Sequence, residues 1–162
     1  MPAVSLFIHN AGYVLSSILM TGLIVSVYVK DHKTLANRKI IAAFFAVVVF
    51  TIAHVIGVNI ADPHLSRLAL MFTSSVLLIS PFFAHCVFAL IGRADKERVP
   101  LAIAYLTSLI LLAVFVIFPD SFLLPSEPKL YFPNYYVAGS LYWLMELISN
   151  GLIPAYFLFR MM

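Results

Sequence analysis

The sequence has few charged residues and very little cysteine. Only 10% of its 162 residues are charged, whereas a soluble domain has about 25%, so an ordinary water-soluble fold is excluded. The single cysteine, Cys86, excludes an internal disulfide, and we interpret it as a small buried hydrophobe because it lies in an apolar run. The chain contains no CxxC motif, no nucleotide-binding glycine loop and no secretory cleavage pattern.

Long apolar runs dominate the sequence instead. Hydrophobic residues make up 63% of the chain, and the mean hydropathy is +1.03. Five runs are long enough to cross about 30 Å of hydrocarbon: 11–29, 40–61, 68–91, 99–118 and 137–159. They lack the two-residue alternation of barrel strands, so their backbones should be helical. We therefore predict an all-α, polytopic membrane helix bundle with five transmembrane helices in one domain, residues 1–162.

The basic residues are distributed unevenly between the two sides of these runs. Eight of the ten follow the first, third or fifth run: Lys30, Lys33, Arg38, Lys39, Arg93, Lys96, Arg98 and Arg160. The other side holds only Arg67 and Lys129. Because short Lys/Arg-rich loops stay cytoplasmic, we predict an outside N-terminus, a cytoplasmic C-terminus and a multi-pass protein of the bacterial inner (cytoplasmic) membrane. These loops also account for the pI near 9.1, so the lipid bilayer is the expected partner and nucleic acid is not.

The longest predicted outside loop, residues 119–136, is rich in proline and aromatic residues. Its four prolines exclude a regular helix, and its aromatic residues suit the headgroup region. Two interpretations remain open: an interfacial hairpin on the outer leaflet, or a lid over a ligand site.

Glu146 is the only acidic residue inside a predicted span. A carboxylate at that depth costs about 2.5–3.5 kcal/mol, so it should face the bundle and have a partner. Helical spacing places Trp143, Glu146, Asn150, Pro154 and also Gly139 on one face, which we expect to point inward. Since Glu146 lies about 21 Å above the inner end of its helix and His54 about 22 Å above that of the second, the two residues are level. We predict a ligand-binding or structural polar centre of Glu146, His54, Asn150 and Trp143, with a hydrogen bond between Glu146 and His54.

A metal or haem site is not predicted. His85 lies about 12 Å below His54 by the same helical rise, so the two imidazoles cannot converge on one iron. Pro81 and Pro154 are expected to kink their helices, and the hydroxyl stripe of the first span is interpreted as helix packing. No arrangement of nucleophile and base is evident, so we predict no cofactor and no enzymatic activity.

Several segments together resemble the N-terminal seven-helix sensor region of bacterial membrane histidine kinases and related signalling proteins. They are NRKIIAAFF (37–45), ADPHLSRLAL (61–70), SPFFAHCVFAL (80–90), GRADKER (92–98), FPDSF (118–122) and the run 139–159, which is similar to the family's fifth helix. The family often carries a tryptophan in its second helix, but this chain has none there and has Phe50, Thr51 and His54 in that part of the helix. Helices six and seven of the family are missing from this sequence.

The resemblance implies a sensory input region that passes an outside or intramembrane stimulus to a cytoplasmic kinase or other output domain, with a homodimer as a further expectation. We accordingly expect the chain to stop before the remaining helices and the output domain. Two other functions remain open, namely a small transporter or permease subunit and a membrane scaffold or assembly subunit. The transporter hypothesis predicts a water path lined by Glu146, Asn150 and the Ser17/Thr21 stripe.

Overall fold

The computed structural model describes residues 2–162 and is mostly helical. Its helices are α1 (Pro2–Asp31), α2 (Leu35–Asn59), α3 (Pro63–Met71), α4 (Val76–Leu90), α5 (Arg98–Ile117), α6 (Tyr142–Glu146) and α7 (Ile153–Met161). Short 3₁₀ turns cover Phe72–Ser75 and Pro119–Ser121, and a π-helical turn covers Leu147–Leu152. Two strands, β1 (Leu123–Lys129) and β2 (Phe132–Ala138), separate α5 from α6.

Among the described residues, four helices are long and apolar enough to cross a membrane: Val4–Asp31, Leu35–Asn59, Pro63–Leu90 and Arg98–Ile117. The third combines α3, the 3₁₀ turn and α4, so it begins five residues earlier than the predicted run 68–91. Asp62 accounts for that start, since its carboxylate accepts hydrogen bonds from the backbone N–H groups of His64 and Leu65. These bonds, with that from Leu65 the stronger influence, lower the pKa of Asp62.

A β-hairpin corrects the all-α prediction. β1 and β2 pair antiparallel, with Leu123 opposite Ala138 and Lys129 opposite Phe132. A two-stranded sheet consists only of edges, so it tolerates prolines that would break the middle of a larger sheet. The hairpin also takes up the first two residues of the predicted fifth span, and the helical segment begins at Tyr142 instead of residue 137.

The hairpin is fixed to the ends of the helices by buried contacts. Asn134, 1% exposed, donates its amide hydrogens to the carbonyl oxygens of Ile60 and Ala61 at 2.9 and 2.8 Å. The chain then turns at Gly139, whose backbone packs so closely against Ser121 that a Cβ would lie 2.5 Å from the Ser121 carbonyl oxygen. That close approach explains why residue 139 is a glycine. Gly139 lies outside α6, so it is not part of the helical face predicted for it.

The bundle packs around α2 and α4, while α1 packs mainly against α2. None of the most apolar stretch of α1 is buried, so its hydrophobic surface is left for lipid or another protein. One apolar core lies beside the hairpin and includes Leu70, Phe115 and Phe122. A second core lies toward the basic end and includes Phe88 and Phe157.

At the basic end, Glu97 joins three segments of the chain. Its side chain is 1% exposed and accepts hydrogen bonds from Arg160 at 2.9 and 3.1 Å and from Arg93 at 3.2 Å. The Arg160 guanidinium is the main reason that the pKa of Glu97 is lowered, and the same contact raises the pKa of Arg160. The end of α7 is thereby tied to the loop between α4 and α5.

Candidate functional site

The candidate site is built around His54, which is 3% exposed within α2. Its Nε2 lies 3.1 Å from the Nε2 of His9 on α1, a distance at which one neutral imidazole donates a hydrogen bond to the other. Tyr13, one helical turn after His9, stacks on the His54 ring with centroids 4.6 Å apart. The histidine pair therefore connects α1 to α2 near the end that the hairpin covers.

The hairpin lies directly over this histidine pair. Phe132 of β2 meets the edge of the His9 ring at 4.8 Å, and Tyr135 meets His54 edge-on at 5.8 Å. The segment that was predicted as an interfacial hairpin or as a lid is thus a hairpin whose aromatic side chains contact the imidazoles. Burial and the neighbouring Tyr136 raise the pKa of Tyr135, which keeps its hydroxyl neutral and able to donate a hydrogen bond.

A chain of tyrosines continues from this cluster to Glu146. The rings of Tyr135 and Tyr136 stack at 4.4 Å, and those of Tyr136 and Tyr142 stack at 5.6 Å. The Tyr142 side chain interacts with both Tyr136 and Glu146. Glu146 in turn accepts a hydrogen bond from the amide nitrogen of Asn150 at 2.6 Å. These contacts connect β2 to the last helical segment.

The predicted direct hydrogen bond between His54 and Glu146 is not present. His54 pairs with His9, and Glu146 pairs with Asn150 and Tyr142, so the tyrosines stand between the two halves of the predicted polar centre. The depth argument matched the heights of the two residues, but it carried no information on their lateral separation.

The prediction that the face with Trp143 and Asn150 points into the bundle is also wrong. These residues belong to the last helical segment, which runs from α6 to α7. Trp143 is 61% exposed, and Asn150 is exposed as well. Met145, Ser149 and Ile153 are buried instead. The apolar side chains of that face enter the two cores, and the small Ser149 allows its backbone carbonyl to accept a hydrogen bond from Ser80 of α4 at 2.7 Å. Close packing against α4 therefore decided the orientation.

The two predicted kink residues have different surroundings. Pro81 is buried inside α4. Pro154 follows the π-helical turn at the start of α7, where its missing N–H interrupts the regular hydrogen-bond ladder. A π-helical turn of this kind is frequent at functional sites.

His85 occupies a separate place, toward the basic end of the bundle. Its Nδ1 lies 3.2 Å from the Tyr105 hydroxyl, and its ring is not part of the His9–His54 cluster. Among residues 2–162, no group of three or more His, Cys, Asp or Glu side chains is arranged to hold a metal ion.

Sequence reasoning missed His9, Tyr13 and Tyr142. His9 and Tyr13 are four residues apart and hence on one helical face, which was an available signal, but the first run was taken to start at residue 11. The position of Tyr142 beside the hairpin was not predicted, because β2 and the turn at Gly139 delay the start of the helix to Tyr142. Hydropathy alone does not reveal such a shift.

These features define a helical membrane protein with a histidine and tyrosine cluster beneath a β-hairpin. Comparison with protein-family models, with curated proteins and with solved structures gave no match to this chain.

Proposed function

We propose that this chain is the membrane-embedded sensory input region of a bacterial signal-transduction protein, with five spans, an outside N-terminus and a cytoplasmic C-terminus. It would relay an outside or intramembrane stimulus to a cytoplasmic output domain that is not part of the chain. The eight-to-two division of basic residues supports this orientation in the cytoplasmic membrane. The observation that carries the proposal is the continuous contact from the histidine pair, through the tyrosines of the hairpin and Tyr142, to Glu146 of the last helical segment.

The relay requires that the stimulus distinguish two arrangements of this cluster, because a ligand shifts an equilibrium only through different affinities for its two states. A stimulus that moves Tyr135 away from His54 also disturbs the stacked Tyr136 and, through it, Tyr142. Tyr142 contacts Glu146 one turn along the same helix, immediately before the π-helical turn. The last helical segment is then the element that changes its packing.

The chain contains its own reporter for this relay. Trp143 is the only tryptophan, is 61% exposed and directly follows Tyr142. We propose to record its fluorescence in nanodiscs from about pH 4 to about pH 8, with protons as the probe because histidine titrates in this range. Protonation of both imidazoles leaves two N–H donors facing each other and breaks their mutual hydrogen bond, and the Trp143 emission should change with the same midpoint.

Three variants test whether the change passes along the tyrosines. His54→Gln should abolish the transition, and Tyr142→Phe should weaken it because the ring stays while the hydroxyl is lost. Tyr156→Phe is the matched control, since it removes a hydroxyl from an exposed tyrosine on the same segment, and it should retain the transition. An unchanged transition in His54→Gln would contradict the relay.

The sensor hypothesis further requires a signalling partner. Cross-linking in membranes, followed by mass spectrometry, should recover a cytoplasmic kinase or other output domain, either on a longer product of the same gene or as a bound protein. Proton flux into liposomes that is abolished by Glu146→Gln would instead support the transporter hypothesis.

A further inference from the structure

A second polar site lies at the basic end of the bundle, away from the hairpin. A cavity of about 420 Å³ opens there between the start of α2, the end of α4 and the start of α5. Its polar lining consists of Lys39, His85, Asp95, Arg98 and Tyr105. The proposed sensory site does not use any of these residues.

Lys39 is half-buried at this cavity without a carboxylate partner among residues 2–162. Its ammonium group instead lies 5.3 Å from the Tyr105 ring centroid and 5.8 Å from that of Phe82. The two aromatic faces hold the ammonium by cation–π attraction and leave its hydrogen-bonding capacity largely unused. Lys39 therefore has unused donors that point toward a cavity able to admit a ligand.

The other polar groups add to this character. Tyr105 and His85 are 3.2 Å apart, so they hold each other in place at the cavity wall. Arg98, the first residue of α5, adds a second cation, whereas Asp95 is exposed and adds one negative charge at the rim. Glu97 forms ion pairs with both Arg93 and Arg160 nearby, but Arg98 has no carboxylate partner among the described residues.

We propose that this cavity binds a phosphate group, either in the headgroup of an anionic lipid or as free phosphate. Lys39 supplies a point charge and Arg98 supplies a planar guanidinium, the two side chains that bind phosphate most often. Lys39 lies about 6 Å along α2 from its first residue, a depth at which a lysine reaches the headgroups while its stem stays in the apolar region. Leu35 and Leu101 add apolar walls that suit the first part of an acyl chain.

The two sources of phosphate can be separated with the purified full chain. Binding is measured by native mass spectrometry and by thermal unfolding, in phosphatidylcholine nanodiscs with or without phosphatidic acid, and separately with inorganic phosphate. A cation near an anionic membrane surface contributes about fivefold to binding. Lys39→Gln and Arg98→Gln should each weaken phosphatidic acid binding by at least about fivefold, and Lys39→Arg should retain most of it.

Matched controls separate the cavity from general surface charge. Lys33→Gln and Lys96→Gln remove the same charge from exposed positions in the loops that precede α2 and α5, outside the cavity, and should change binding by less than about twofold. If phosphatidic acid stabilises the wild type but neither cavity variant, the ligand is a lipid headgroup. If inorganic phosphate stabilises the wild type but neither cavity variant, the ligand is free phosphate. Equal losses in cavity and control variants, or no stabilisation by either probe, would overturn the proposal.

Discussion

Gly57 and Leu70 form a close contact between α2 and α3, and replacing the glycine tests that packing. Gly57 lies in α2, and a Cβ there would be 2.5 Å from Cγ and 2.6 Å from Cδ2 of Leu70 in α3. Leu70 is 1% exposed and lies in the apolar core beside the hairpin, so moving its side chain would disturb the residues packed around it. Gly57→Ala should therefore force α2 and α3 apart.

Two effects of opposite sign determine the size of the change. Alanine is a better helix former than glycine by about 1 kcal/mol, whereas overpacking a close contact costs about 1–3 kcal/mol. Since the contact is shorter than any real Cβ contact and involves Cγ rather than the end of the side chain, we take the upper part of that range. The net destabilisation should be about 2 kcal/mol.

The matched control is Gly22→Ala in α1, where a Cβ would meet no atom within 4 Å. That variant should be neutral or slightly stabilising, because only helix propensity acts there. Thermal unfolding in detergent should show a midpoint about 4–8 °C lower for Gly57→Ala, at about 2–4 °C per kcal/mol, and no decrease for Gly22→Ala.

A double-mutant cycle with Leu70→Ala identifies the contact itself. Leu70→Ala alone should cost about 2–5 kcal/mol, but it removes the atoms that the new Cβ would strike. The combined variant should consequently be more stable than the sum of the single changes predicts, by at least about 0.5 kcal/mol. A midpoint for Gly57→Ala at or above that of the wild type, or strict additivity in the cycle, would refute the reasoning.

Three other predictions concern the charge network and the hairpin. Glu97→Gln should lower the thermal midpoint at neutral pH. Because the pKa of Glu97 is lowered in the folded state, the ionised carboxylate stabilises the fold above its ordinary pKa of about 4.3, and this stabilisation is lost as the pH falls. The variant should therefore lose less stability than the wild type in an acid titration. Asn134→Ala should cost about 1–2 kcal/mol in thermal unfolding because the carbonyl groups of Ile60 and Ala61 lose their donor. Asn134→Asp should be worse because a carboxylate would face those carbonyls. Leu130 has a φ of 56°, so Leu130→Gly should raise the hairpin's resistance to proteolysis, whereas Leu130→Ala should not.

Much of the architecture could be predicted from hydropathy and charge. The four membrane-length helices follow the first four apolar runs, although α1, α2 and the third helix begin several residues before the predicted starts. Prolines in 119–136 correctly excluded a regular helix there, but the strand pairing could not be predicted because it depends on contacts with Ile60 and Ala61, which lie elsewhere in the chain. The number of spans and their orientation remain predictions.

The candidate site was predicted less well than the helices. His54 and Glu146 were predicted to be polar residues at matching depth, and both lie on the contact path. Their partners were not predicted, since His9 comes from the start of α1 and three tyrosines come from the hairpin and α6. Glu97 was counted as an ordinary loop residue, although its burial and its bonds to Arg160 are among the strongest polar contacts at the basic end.

The sequence by itself determined that this protein is a helical bundle suited to a membrane, where its apolar runs begin and end approximately, and which side of those runs is basic. Such properties are local: they follow from the composition of each segment and from the cost of placing charge or unpaired backbone in hydrocarbon. Only the tertiary structure decided that β2 covers the histidines, that Trp143 faces outward, and that Lys39 and Arg98 share one cavity. Those arrangements depend on how helices rotate about their axes to pack closely, and that rotation is set jointly by residues that are far apart in the chain.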